Sequence, residues 1–238
     1  MSVATASRPL SAADHVRVMS EYGRRAEARA YALGNRGPIR VGADGKLLPE
    51  ILDAYWANGF YVFQGVVGPE ELAELRADID NVLSRAPVAP DAKVDRLGRP
   101  ASTEGIIKPP YRWAKPLSDP VGGTDKNNGR HPAAMLQPDA GENAPEWTVE
   151  LLDGNLHLSD ACLRLYGHPG LLTVAASILG DDFVPYNEVT FVKEPGLGPS
   201  VAWHQDGTTH WTAPDWDEGA HGFNFMTQLY PKIGRAHV

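Results

Sequence analysis

This 238-residue sequence has little of what disulfide-linked, membrane-spanning or nucleic-acid-binding proteins need. Its one cysteine, Cys162, excludes an intrachain disulfide and a cysteine-rich zinc site, and is typical of a reducing compartment. No apolar run approaches the roughly 20 residues of a membrane span, and the first residues lack the apolar stretch of a signal peptide. Asp and Glu (30) outnumber Lys and Arg (22), a net charge of −8 that is poorly suited to a phosphate backbone. We therefore expect a cytoplasmic protein with no nucleic acid and no membrane as partners.

Length and composition favour one large globular domain. Apolar residues make up 42% of the chain and charged residues 22%, close to the globular average. Residues 1–46 are polar and weakly patterned, so we expect a loosely attached N-terminal arm. Within it, 11–32 is a candidate helix with a narrow apolar face. We expect 47–232 to be the N-terminal part of that single domain.

Periodic segments predict both helices and strands. Apolar residues at helical spacing, with Pro in a first turn or Gly beyond the last turn, predict four helices: 48–58, 69–85, 155–166 and 169–179. β-Branched and aromatic residues predict a strand over 60–67 and two strands of one sheet over 183–193 and 200–206. We expect helix 69–85 to pack outside that sheet.

The segment 87–150 has a different composition. It holds 10 of the 20 prolines and shows no strong period, so we predict that it is mostly irregular. It contains IIKPPYRW (Ile106–Trp113), in which Lys108 lies among aromatic residues. Two interpretations stay open, a surface loop with a snorkelling lysine and a lid over a site further along the chain.

One short motif, Trp203-His204-Gln205-Asp206, offers metal chemistry. Residues i and i+2 of a strand point to the same face, so His204 and Asp206 would present an imidazole and a carboxylate side by side. That suits two adjacent positions around a divalent transition metal. With eight His and 17 Asp, about half an His-x-Asp is expected by chance, so the motif alone is weak. The other interpretation is a strand-end histidine hydrogen-bonded to a neighbouring aspartate.

The flanking sequence makes the motif more specific. Residues 54–83 read AYWANGFYVFQGVVGPEELAELRADIDNVL, and residues 187–211 read NEVTFVKEPGLGPSVAWHQDGTTHW. With a helix ending in Leu-Gly-Asp between them, the chain from Leu48 to Tyr230 resembles the phytanoyl-CoA dioxygenase family of Fe(II)- and 2-oxoglutarate-dependent oxygenases. The resemblance implies an α+β fold, with a double-stranded β-helix (jelly-roll) core and helices outside it.

The resemblance also implies site residues and cofactors. His204 and Asp206 match the first two Fe(II) ligands, and 2-oxoglutarate and O2 are the implied cosubstrates. Asn187 lies where some relatives place a polar 2-oxoglutarate contact, although a strand amide bonded to backbone is the alternative. Lys108 is a further candidate contact for 2-oxoglutarate. Halogenating relatives replace the acid of the motif with a small residue. Asp206 therefore favours hydroxylation over halogenation of the small-molecule substrate that the resemblance implies.

Two parts of the family site are expected beyond the last residue. They are a second histidine ligand and a basic residue for 2-oxoglutarate. His210 and His221 come too soon after the motif, and His237 lies in IGRAHV (233–238), which resembles a translated sequencing adapter. The strand-like segment 221–230 has no partner strand after it. We therefore expect a C-terminally truncated fragment of a longer enzyme, with an incomplete jelly roll, a non-native tail over 233–238, weak iron binding and no turnover.

Two other function classes remain open at this point. A non-catalytic jelly-roll binding module could keep His204 and Asp206 for structural reasons. A cupin-type metal enzyme normally has more histidines close together. The sequence does not name the substrate, because fold and cofactor chemistry are shared more widely than substrate.

Overall fold

The computed structural model describes residues 12–101, 110–118, 140–185, 187–199, 201 and 222–230. Its elements follow in this order: α1 (Ala12–Ala32), β1 (Arg36–Gly37), α2 (Pro49–Asn58), β2 (Val62–Phe63), α3 (Pro69–Ser84), β3 (Tyr111–Ala114), β4 (Thr148–Asp153), a 3-10 helix (Asn155–His157), α4 (Asp160–Tyr166), α5 (Pro169–Leu179) and β5 (Val189–Phe191). Among these described helices, none has the length and apolar character to cross a membrane.

The helices α2, α3 and α5 confirm the sequence predictions closely. Pro49 and Pro69 lie in the first turns of α2 and α3, where a missing N–H costs no hydrogen bond. Helix α2 ends at Gly59, whose φ of 76° lets its N–H bond the carbonyl of Tyr55. Local residues that can be recognised in the sequence therefore determine where these helices begin and end.

The predicted helix 155–166 is instead two pieces, separated at Ser159. The Ser159 hydroxyl accepts a hydrogen bond from the Cys162 N–H (2.9 Å) and donates one to Asp78 of α3 (2.7 Å). An N-cap residue has extended backbone, so the helix cannot run through it. The same serine ties α4 to α3.

The main sheet has the strand order β3-β4-β5 and is antiparallel throughout. At its centre, Leu152 lies opposite Tyr111 of β3 and Thr190 of β5. Ile79 and Val82 of α3 belong to the same buried cluster as Leu152 and Tyr111. This confirms that the helix predicted over 69–85 packs on the sheet that contains β5.

The central strand β4 was not predicted from the sequence, because it begins inside 87–150, the segment that is expected to be mostly irregular. Strand β3 and the first three residues of β4 lie inside that segment. Five of the six β4 residues are buried, including the polar Thr148 and Glu150, so burial along this strand does not alternate as it does in a half-buried strand. The many prolines of 87–150 also favoured an irregular segment over a strand.

A β-bulge in β4 adds to the difficulty. The register shifts so that Leu151 and Val149 lie opposite the consecutive β3 residues Arg112 and Trp113, and Glu150 is the extra residue between them. The extra residue lets Val149 and Leu152, three positions apart, join the same core cluster. A strict period of two therefore fails in this strand.

The predicted strands are shorter in the structure than expected. The 60–67 strand is Val62–Phe63, paired in parallel with β1, and the 183–193 strand is Val189–Phe191. Of the strand predicted over 200–206, only Val201 is described, and it is not in a strand. The rest of that prediction lies outside the described residues.

A second, smaller core joins α2 to α5. Leu47, Ile51 and Val174 are buried together, and the Leu47 N–H donates to the Ser177 hydroxyl. Helices and sheets are thus mixed, as in an α+β fold. The two small sheets of the described ranges do not by themselves make a double-stranded β-helix.

Candidate functional site

Strand β5 precedes the predicted metal motif in the sequence, and pairing with β4 holds β5 in place. Phe191 lies opposite Leu151, and the Val192 N–H continues the ladder to the Glu150 carbonyl at 2.8 Å. Val192 packs against the α3–sheet core, while Phe191 is exposed. The chain therefore leaves β5 with a defined face toward the core.

Glu188 anchors the chain just before β5. Its carboxylate accepts hydrogen bonds from the backbone N–H of Asn155 (3.0 Å), the side chain of Asn155 (2.8 Å) and the N–H of Leu156 (3.5 Å). These N–H groups belong to the 3-10 helix, which follows β4 directly. Glu188 thus caps the 3-10 helix and holds the start of β5.

Asn187, the predicted 2-oxoglutarate contact, lies at an open cavity. Its side chain is exposed, and its Oδ1 accepts the N–H of Glu188 at 2.9 Å. The cavity, about 370 Å³, is lined by Asn187 and Glu188, by Arg112 and Asp153 of the sheet, and by Tyr166 of α4. Asn187 is therefore the predicted site residue whose surroundings the structure describes.

An ion pair crosses the wall of this cavity. The Arg112 guanidinium donates to both carboxylate oxygens of Asp153, at 2.7 and 3.2 Å. Both side chains project from the sheet, Arg112 from β3 and Asp153 from the end of β4. The pair leaves further guanidinium N–H donors for a bound polar group.

Between β5 and the predicted ligands, residues 193–199 form a tight turn, here called the connecting turn. The N–H of Gly198 donates to the carbonyl of Glu194 at 2.7 Å, and Gly196 has a φ of 74°. The Lys193 ammonium donates to the carbonyl of Pro199, which is fully buried. Gly196 and Gly198 therefore serve the backbone geometry of this turn.

A hairpin-like loop over 88–101 lies beside the connecting turn. Its centre is the buried carboxylate of Asp95, which accepts bonds from the N–H groups of Leu97 (2.8 Å) and Arg99 (3.0 Å) and from the Arg99 guanidinium (2.7 Å). Arg85 at the end of α3 is 3.6 Å away. Burial raises the pKa of Asp95, but these hydrogen bonds and the Arg99 charge outweigh it, so the pKa is lowered.

Of the predicted site residues, His204, Asp206 and Lys108 lie outside the described residues. His210, His221 and His237 lie outside them as well, as do residues 102–109 and 119–139 of the possible lid. Their roles stay predictions. Within the ranges that the structure does describe, no group of three or more His, Cys, Asp or Glu side chains could hold a metal ion.

Sequence reasoning missed several residues that shape this region. Glu188 and Asn155 are 33 positions apart, and Arg112 and Asp153 are 41 apart, so no local period links them. Gly198 had a signal, because two glycines separated by one residue after a strand are typical of a tight turn. The long-range pairs had none.

Comparison with known proteins identifies the family. The family model described as phytanoyl-CoA dioxygenase (PhyH) matches residues 55–230, about three quarters of the chain. The searches of curated proteins and of solved structures gave no match. The matched range includes the last turn of α2, all of α3, the main sheet and the His204–Asp206 motif. The chain therefore belongs to the phytanoyl-CoA dioxygenase family, and at the level of that family it is an oxygenase.

Proposed function

We propose that the protein is an Fe(II)- and 2-oxoglutarate-dependent dioxygenase that hydroxylates a small organic substrate. The observation that carries the proposal is the family match over 55–230, a range that contains His204 and Asp206. The anchored strand β5 and the connecting turn support it, because they hold the chain that leads into the motif.

The donor set fits the metal by its chemistry. A neutral imidazole from His204 and a carboxylate from Asp206 are two of the three ligands of a two-histidine, one-carboxylate iron site. Asp206 also neutralises one of the two positive charges of the metal. With Fe(II), 2-oxoglutarate and O2 bound, such a site converts 2-oxoglutarate to succinate and CO2 and inserts a hydroxyl group into a substrate C–H bond.

The other residues of this proposal bind and orient. Asn187 and Lys108 are proposed contacts for the polar ends of 2-oxoglutarate, and the 87–150 segment is proposed to exclude water over the site. Asp206 occupies the position where a small residue would admit halide, so hydroxylation is proposed over halogenation.

Metal binding by the 238-residue chain tests the ligand assignment directly. Isothermal titration with Co(II), a stand-in for Fe(II), is made on the wild type and on Asp206→Ala, with Asp182→Ala as a control carboxylate that is exposed. We expect weak binding that Asp206→Ala abolishes and Asp182→Ala keeps. Equal binding by all three would contradict the assignment.

Activity in the full-length protein then tests the reaction. We expect Asp206→Ala to abolish 2-oxoglutarate-dependent hydroxylation, because one coordination position and one neutralising charge are lost. The readout is succinate formation that depends on Fe(II). Unchanged turnover in Asp206→Ala would favour a different chemistry, and no turnover in the metal-loaded wild type would favour a binding module.

A further inference from the structure

The cavity beside β5 opens on the face of the main sheet that α3 does not cover. Tyr111 and Leu152 point toward α3, since they belong to the core cluster that this helix shares with the sheet. Successive residues of a strand point to opposite faces, so Arg112 and Asp153 project from the other face. They are diagonal neighbours on adjacent strands, because Arg112 lies opposite Leu151. The strand register therefore places a guanidinium and a carboxylate side by side at the cavity.

The ion pair of Arg112 and Asp153 presents hydrogen-bond donors and acceptors together. The Nε and Nη2 atoms of the guanidinium donate to the two carboxylate oxygens, at 2.7 and 3.2 Å. Within the described part of the chain, no protein group accepts a hydrogen bond from Nη1, so its hydrogens are left for a bound molecule. Each carboxylate oxygen can accept a further bond beside the one from the guanidinium.

The rest of the lining adds one negative charge and some apolar surface. Glu188 brings a second carboxylate, so one guanidinium and two carboxylates give the cavity a net charge of −1 at neutral pH. Leu156 and Tyr166 supply apolar atoms, and a tyrosine combines an apolar ring with a polar tip. The volume of about 370 Å³ is at the lower end of the range of about 300–1,000 Å³ for ligand cavities. A molecule of monosaccharide size therefore suits it.

This lining disfavours charged ligands and wholly apolar ligands. An anion would lie near two carboxylates and a cation near a guanidinium, and like charges repel. An apolar ligand would cover the ion pair and leave its remaining donors and acceptors without partners. A hydroxyl group is neutral, and it both donates and accepts hydrogen bonds. Two adjacent hydroxyls can therefore bond to the guanidinium and the carboxylate at once.

We propose that this cavity binds a neutral polyhydroxylated molecule of monosaccharide size, with Arg112 and Asp153 bonding to two adjacent hydroxyls. One hydroxyl accepts from Nη1 of Arg112, and its neighbour donates to a carboxylate oxygen of Asp153. The ring of Tyr166 packs against the C–H groups of the ligand. The proposal is independent of the metal assignment, because it uses neither His204 nor Asp206.

Saturation-transfer difference NMR on the 238-residue chain tests the proposal, with myo-inositol as the probe. Cyclohexanol is the matched control ligand, since it has the same carbon ring and a single hydroxyl. We expect saturable binding of myo-inositol with a millimolar Kd, because the cavity is open to solvent, and no saturable binding of cyclohexanol. Absence of myo-inositol binding to the wild type, or equal binding of cyclohexanol, would overturn the proposal.

Arg112→Ala and Arg112→Lys test the role of the guanidinium. Both should weaken myo-inositol binding by about 10-fold or more, since hydrogen bonds to charged groups are worth about that factor and lysine lacks the planar set of donors. Arg96→Ala is the matched control and should bind as the wild type does, because Arg96 is similarly exposed and is paired with Glu194 away from the cavity lining. Wild-type affinity in either Arg112 variant would refute the proposed geometry. Urea unfolding checks that each variant is folded, and Arg112→Lys decides where Arg112→Ala is not.

2-Oxoglutarate is the second probe, because Asn187, its proposed contact, lines the same cavity. We expect that, without metal, 2-oxoglutarate does not displace myo-inositol. Displacement that Arg112→Ala abolishes would assign the cavity to an anion and overturn this proposal. The metal site would be unaffected by that result, since Co(II) binding by the wild type and Asp206→Ala tests it separately.

Discussion

The α3–sheet core and the connecting turn are held by different forces. Ile79, Val82 and Leu152 remove apolar surface from water, and this packing joins α3 to the main sheet. The connecting turn and the 88–101 loop are held by hydrogen bonds, ion pairs and a glycine at close backbone approach. Apolar packing thus supplies stability, while directional polar contacts fix the backbone path of the turn and the loop.

The largest effect is expected where apolar packing is densest. Leu152 is fully buried at the centre of the sheet, so Leu152→Ala should lower the free energy of unfolding by about 2–5 kcal/mol. Leu163→Ala, at a leucine that is 51% exposed, should change it by no more than about 0.5 kcal/mol. Urea denaturation measures both, and similar losses in the two variants would show that the sheet core is not the main source of stability.

A smaller, pH-dependent effect is expected in the polar region. Asp95→Asn removes the carboxylate that Arg99 and Arg85 share, so it should lower the urea midpoint at pH 7. Because the pKa of Asp95 is lowered on folding, its contribution is present above the ordinary value of 3.8 and is lost as the pH falls through the folded value. Wild type and variant should therefore converge in acid.

The control for Asp95 is a neighbouring carboxylate. Asp91→Asn changes an exposed residue of the same loop and should leave the urea midpoint unchanged. A difference between wild type and Asp95→Asn that stays constant down to pH 2 would contradict the assignment.

Tyr230 provides a spectroscopic test of the packing of 222–230 on α3. Its hydroxyl donates to Asp80 at 2.5 Å, and burial together with this bond raises the pKa to about 12. The stabilising contribution is present below the ordinary value of 10 and is lost as the pH rises through about 12. Phenolate absorbance should show a late step that Tyr230→Phe removes and Asp80→Asn moves to lower pH. A step that persists in Tyr230→Phe would assign it elsewhere.

The smallest effect is expected for the ion pair at the cavity. The Arg112 side chain is 57% exposed, so its coupling to Asp153 should be about 0.2–1 kcal/mol. A double-mutant cycle with Arg112→Ala and Asp153→Asn measures this coupling. A much larger value would place the pair among the interactions that determine the fold and would weaken the contrast between the two regions.

The motif shows how far local sequence reasoning reaches. The His-x-Asp motif can be identified from the sequence alone. The flanking sequence was sufficient to name the family, which the match over 55–230 confirms. The predictions for helices α2, α3 and α5 succeeded for a similar reason, since proline, glycine and apolar spacing act within a few residues. Strand β4 was not predicted, because it is buried on both faces and a bulge at Glu150 interrupts the two-residue period of its side chains.

By itself, the sequence determined the family, the candidate ligands His204 and Asp206, and the helices whose start and stop residues are local. Only the tertiary structure decided that β4 lies between β3 and β5, that Glu188 caps a 3-10 helix 33 residues away, and that Gly198 meets backbone atoms. The physical reason is distance along the chain. Propensity and periodicity act between neighbours, whereas strand pairing, long-range caps and close backbone approach arise only when distant segments are folded together.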